Sequence, residues 1–77
     1  MKTTKTISKF RIVSRLHVLR AEHRLTQEQL AQAVGVTRAT IVAVEGGDYN
    51  PSLELAFKIA KVFQTDIQNI FSTEDKK

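Results

Sequence analysis

Thr26-Gln27-Glu28-Gln29-Leu30-Ala31-Gln32-Ala33-Val34-Gly35-Val36-Thr37-Arg38-Ala39-Thr40-Ile41-Val42-Ala43-Val44-Glu45-Gly46 decides the fold of this chain. Its first four residues spell a capping box. The Thr26 hydroxyl accepts from the Gln29 amide and the Gln29 side chain returns the bond, which satisfies two donors that a helix start leaves open. The helix so opened runs to about Val34 and stops at Gly35, which suits a left-handed turn after a helix. Thr37 then caps a second helix that ends near Glu45, before Gly46-Gly47. Only Gly35 and Val36, with the cap Thr37, join the two, and so short a joint makes helices cross steeply. Leu30 and Val34 face Ile41 and Val44 across that crossing, Val36 plugs the corner, and Ala31 is small where the helices come closest.

Outward from this pair, Gly35, Gly46-Gly47 and Pro51 are the only strong breakers, and apolar residues between them recur at helical spacing. A first helix is expected over Ile12 to His23, with Ile12, Leu16 and Leu19 inward and Ser8 or Ser14 as its cap. After the Asp48-Tyr49-Asn50-Pro51 loop, a fourth helix starts at Ser52, or at Pro51 if Asn50 is the cap. It carries Leu53, Leu55, Ala56, Ile59, Ala60 and Phe63 toward the core. A second capping box, Thr65-Asp66-Ile67-Gln68, predicts a short fifth helix with Ile67, Ile70 and Phe71. No sustained two-residue alternation is long enough to suggest a sheet. The expected fold is therefore all-α, a five-helix bundle over 12–71, preceded by a basic N-terminal arm or helix extension (1–11) and followed by a polar, frayed tail (72–77).

Seventy-seven residues, 42% hydrophobic and 26% charged, suit one small globular domain with a modest core. The absence of cysteine excludes a disulfide framework, a zinc finger and thiol catalysis, and fits a reducing compartment. Charges run through the first twenty residues, so no signal peptide or membrane span is visible, and the expected location is the cytoplasm. Residues 1 to 24 hold seven bases (Lys2, Lys5, Lys9, Arg11, Arg15, Arg20, Arg24) and one acid, Glu22. The remainder is net acidic. Such asymmetry favours a polyanion approached from one side, although a solvated basic tail gives the same count.

The pair of helices joined at Gly35 forms a helix-turn-helix, and the chain resembles the phage repressor/Cro-like, or Xre-type, family from about Leu16 to Phe71. The matching stretches are Leu19-Arg20, Leu25-Thr26-Gln27-Glu28-Gln29-Leu30-Ala31, Gly35-Val36-Thr37-Arg38, Thr40-Ile41, Glu45-Gly46-Gly47, Asn50-Pro51-Ser52-Leu53 and Lys58-Ile59-Ala60. The resemblance implies a lambda-repressor-like fold whose third helix enters the major groove of double-stranded DNA while the start of the second meets phosphates. It implies a small transcriptional regulator, most simply a repressor, working as a homodimer on a palindromic operator. A helix N-terminus with its free amides suits a phosphate, and Gln27 adds a side-chain donor there.

With Ile41 and Val44 turned inward, the outward face of the third helix is Arg38, Ala39, Val42 and Ala43, edged by Thr37 and Thr40. Arg38 either grips guanine O6 and N7 together or meets a phosphate. Val42 and Ala43 depart from the more polar face of many relatives, and thymine methyl groups are the matching partners. The resemblance further implies phosphate contacts from Gly46, Gly47 and Asn50, and a partly buried ion pair between Arg20 and Glu45. Lys2, Lys5 and Lys9 are candidates for an arm across the DNA backbone. Ile67, Ile70 and Phe71 are expected either at a dimer interface or closing the core of one subunit.

Other chemistries find little support. His17 and His23 lie six apart, about 240° around a helix, and cannot chelate one metal from one face. Phe57, Phe63 and Phe71 occupy apolar helical positions and are expected in the core. No nucleophile-base pair, phosphate-cradling glycine loop or carboxylate dyad appears, so neither an enzyme nor a cofactor or metal is expected. Two other settings suit the same fold: an antitoxin or protein-interaction module with a protein partner, and the controller of a restriction-modification system.

Overall fold

At the second helix, the capping box closes as its sequence dictates. The Thr26 hydroxyl accepts from the Gln29 amide at 3.0 Å, and the Thr26 amide donates to Gln29 Oε1 at 2.9 Å. The computed structural model describes Ile7 and residues 9–75. Its elements in order are β1 (Phe10–Ser14), α1 (Leu16–Glu22), α2 (Gln27–Val34), α3 (Arg38–Gly46), α4 (Leu53–Val62), a single 3-10 turn (Ile67–Asn69) and β2 (Phe71–Asp75). Thr37 caps α3 by accepting from the Thr40 amide, and Ser52 caps α4 by accepting from the Leu55 amide. Gly35 (φ 77°) and Gly47 (φ 80°) end α2 and α3 in the left-handed region, where a Cβ would be strained. Beyond α1 and α4 the same conformation falls to Arg24 and Gln64.

The core is one cluster. Leu16 from α1, Leu30, Ala31 and Val34 from α2, Ile41 and Val44 from α3, and Leu55, Ile59, Ala60 and Phe63 from α4 or its end meet Ile70. Burying side chains of this size removes them from water at about 25 cal/mol per Å² of apolar area, which is the main term a chain of this length commands. His23 closes the edge of the cluster with its ring against Phe63, centroids 5.0 Å apart.

Three expectations from sequence are corrected. The chain is not all-α, because its two described ends pair as an antiparallel ribbon, Phe10 opposite Asp75, Ile12 opposite Thr73 and Ser14 opposite Phe71. Ile12 and Val13, read as the first turn of a helix, lie in β1, and α1 starts only at Leu16, whose amide donates to Ser14 Oγ. β-branched neighbours favour the strand, and a partner about sixty residues away supplies the hydrogen bonds that five residues alone cannot. The fifth helix is also absent. The Thr65 hydroxyl accepts from Asn69 Nδ2 instead of opening a helix, the chain makes one 3-10 turn, and β2 takes the stretch read as the start of a frayed tail. The proposed boundaries after residue 11 and residue 71 therefore both fall inside strands. Third, Leu53 and Phe57 are 72% and 52% exposed, not core.

Ile70 is fully buried and its carbonyl accepts from the Arg15 amide at 2.8 Å, locking the ribbon to the helices. Ile70→Ala should cost about 2–5 kcal/mol in urea unfolding, as cavity formation requires, whereas Phe57→Ala should cost less than about 1. Equal midpoint shifts would place Ile70 outside the core.

Candidate nucleic-acid interface

The periodicity of α3 divides it into two faces. Ile41 and Val44 are buried, while Arg38, Ala39 and Val42 are exposed and Thr40 and Ala43 half-buried at the margins. Val42 is the unusual member, a large apolar side chain 44% open to solvent. Thr37, at the N-cap, is partly committed: its hydroxyl accepts from the Thr40 amide and lies 3.2 Å from Thr40 Oγ1. Gly46, Gly47 and Asn50 lie exposed where α3 gives way to the next loop.

The start of α2 is brought beside the end of α3 by one carboxylate. Glu45 Oε2 accepts from Arg20 Nε at 2.5 Å, and Glu45 Oε1 accepts both from Arg20 Nη2 at 3.1 Å and from Gln27 Nε2 at 3.0 Å. Arg20 Nη1 also donates to the Leu25 carbonyl at 3.0 Å, so a single guanidinium ties α1, the turn before α2, and α3. The pair is well covered, with side-chain exposures of 19% for Arg20 and 10% for Glu45. Burial pushes the Glu45 carboxyl up, but the hydrogen bonds from Arg20 and Gln27, with the charges of Arg20 and His17, outweigh it and hold the group below its ordinary value. At the first turn of α2, the backbone amides of Gln27 and Glu28 have no partner among the described residues, as the geometry of a helix start requires. The Glu28 carboxylate is directed along the helix to Gln32 Nε2 at 3.2 Å.

A helix-turn-helix family model matches residues 16–70. The chain belongs to the helix-turn-helix family. An HTH-type transcriptional regulator of Methanocaldococcus jannaschii is 56% identical over 62 residues, which is 80% of this chain and 94% of that protein. The cryptic phage CTXphi transcriptional repressor RstR of Vibrio cholerae is 36% identical over 62 residues, 80% of this chain and 56% of the repressor. Among solved structures, the restriction-modification controller protein C.AhdI of Aeromonas hydrophila is similar at 35% identity with a TM-score of 0.66, over 70% of this chain and 78% of that one. Together with the exposed face of α3, these place the chain among the family's transcriptional regulators.

In this helix-turn-helix protein the other expected residues separate. Of its two expected places, Ile70 takes the core of one subunit and not an interface, because no part of it reaches solvent. Ile67 and Phe71 are half-buried against the same cluster. Lys2 and Lys5 lie outside the described residues, Lys9 is exposed, and Arg11 is paired across the ribbon to Glu74. Sequence reasoning passed over Tyr49, 47% exposed, which lines a small groove with Gly35, Val36 and Thr40. It also missed the bond from Gln27 to Glu45, because a separation of eighteen positions gives no local signal.

At neutral pH, Arg20→Ala should destabilise by about 3 kcal/mol, because it strands a covered carboxylate, while Arg11→Ala at an exposed pair should cost less than about 1. The folded value of Glu45 lies below its unfolded one, so its contribution is complete above the ordinary value of 4.5 and is lost as pH falls through the depressed value. The Arg20→Ala penalty, followed by thermal melts against pH, should accordingly shrink under acid conditions. A penalty constant down to the acid limit would contradict this assignment.

Proposed function

We propose that the chain is a sequence-specific repressor that lays α3 in the major groove of duplex DNA, with the start of α2 against the phosphate backbone. The observation that carries this reading is the exposed Arg38-Ala39-Val42 face beside a helix start whose Gln27 and Glu28 amides lack partners among the described residues. An α-helix fits the major groove, where each base pair shows a distinct pattern of donors, acceptors and methyl groups. Arg38 is the one long polar reader on that face and suits guanine O6 and N7. Val42 and Ala43 suit thymine methyls. Thr40 serves at the edge, while Thr37 chiefly caps the helix and Ala39 lets the groove wall approach. Gly46, Gly47 and Asn50 flank the groove and suit phosphates, which fix register without reading sequence. Gln27 serves the same purpose from α2.

A homodimer on a palindromic operator is the natural assembly for one such module. Its surface is sought where apolar side chains remain open. Leu53 and Phe57 stand exposed on α4, and Phe57 and Ile67 line an open groove of about 740 Å³. Glu54 lies in the first turn of α4 and Lys61 in the last, so antiparallel self-pairing sets acid against base. No described helix is long and apolar enough to cross a membrane, and a DNA reader works in the compartment that holds the genome, here the cytoplasm. The work is binding, with no catalytic step. The repressor assignment draws on similarity to RstR. Similarity to C.AhdI favours a second setting with the same mechanism, control of a restriction-modification system.

In vitro selection from random duplexes tests the reading. Wild type should select two half-sites roughly one helical turn apart. Arg38→Ala should relax preference at one base pair per half-site, at a cost of about 1–3 kcal/mol, and Gln27→Ala should weaken all sequences alike. No enriched motif, or the same motif with and without Arg38, would overturn it.

A further inference from the structure

We propose that Glu45 is a positioning residue for DNA: it holds the Gln27 side chain so that the remaining amide hydrogen of Gln27 faces the phosphate approached by the start of α2. The inference rests on the DNA-binding reading above and adds to it a residue that never touches DNA.

A carboxylate only accepts, so the 3.0 Å contact between Gln27 Nε2 and Glu45 Oε1 fixes which end of the Gln27 amide points inward. One of the two Nε2 hydrogens is committed to Glu45. The other, with the backbone amides of Gln27 and Glu28, has no acceptor among the described residues. Glu45 is itself held, since Arg20 donates to both of its oxygens and to the Leu25 carbonyl. A glutamine at the first position of a helix ordinarily samples several rotamers, and ordering such a side chain on binding costs conformational entropy. Here much of that ordering is already present in the free protein, so a phosphate meets a donor held in place. The same carboxylate closes the end of α3. The phosphate donor and the reading helix are thus held to one another by a single group, and register set at the backbone is transmitted to the bases.

Charge alone predicts the opposite sign for loss of Glu45, because removing an anion beside a phosphate site strengthens attraction to DNA. A double-substitution cycle cancels that common effect. With the full chain and a mixed-sequence duplex of about 20 base pairs, affinity is measured by fluorescence anisotropy for wild type, Glu45→Met, Gln27→Ala and the double variant. The temperature is one at which melts show all four folded. Glu45→Met, which keeps the length but removes the acceptor, should weaken the wild type about 3- to 10-fold more than it weakens Gln27→Ala. Changes that simply multiply would remove this proposal and leave the DNA reading intact. Failure of wild type to bind any duplex would remove both. A second measurement needs no variant: in the free wild type, the Gln27 side-chain NH2 should relax as slowly as the backbone, unlike that of exposed Gln68. Equal mobility of the two would overturn the proposal.

Discussion

Three residues, Gly35, Val36 and the cap Thr37, separate α2 from α3, and the rest of the molecule follows from that shortness. The left-handed φ of Gly35 lets the chain reverse without a Cβ, and the Val36 amide donates back to the Ala31 carbonyl at 3.0 Å. The helices then have no choice but to cross with Leu30, Ala31 and Val34 against Ile41 and Val44. Once those five are buried, the opposite face of α3 must point to solvent, and Arg38, Ala39 and Val42 come to lie on it. Core packing and the exposed face of α3 are two consequences of one constraint.

Electrostatics refines what packing sets. The Arg20-Glu45-Gln27 cluster need not add net stability, since desolvation of the two charges offsets much of their attraction. Its value lies in geometry. Arg20 connects α1, Leu25 and α3, and Glu45 hands that fixed frame on to Gln27 at the start of α2. A hydrophobic substitute of the same volume would fill the space but offer no oriented acceptor.

What was legible in the sequence was local. The Thr26-Gln29 box, the stop at Gly35, the Thr37 and Ser52 caps, and the inward set from Leu30 to Val44 each depend on residues within one or two turns. The ribbon was not legible, because Phe10–Ser14 and Phe71–Asp75 are five residues each and either one reads as helix end or tail until the other lies beside it. The Thr65-Gln68 box has the right letters, yet Asn69 takes the Thr65 hydroxyl and the stretch is spent on one 3-10 turn that buries Ile70. Leu53 and Phe57 fit the apolar periodicity of α4, but none of the described residues covers that side. On the interface, the α3 face followed from periodicity alone. Arg20 with Glu45 came only through family resemblance, since a contact across twenty-five residues has no spacing rule.

The most direct test of the central claim is a nitrogen-15 NMR titration of the full chain with duplex DNA. The amides of Thr37 to Ala43 and of Gln27 and Glu28 should shift together and saturate at one stoichiometry, while those of Phe10–Ser14 move little. Resonances of α3 that stay unmoved through saturation, or shifts confined to the ribbon, would contradict the account.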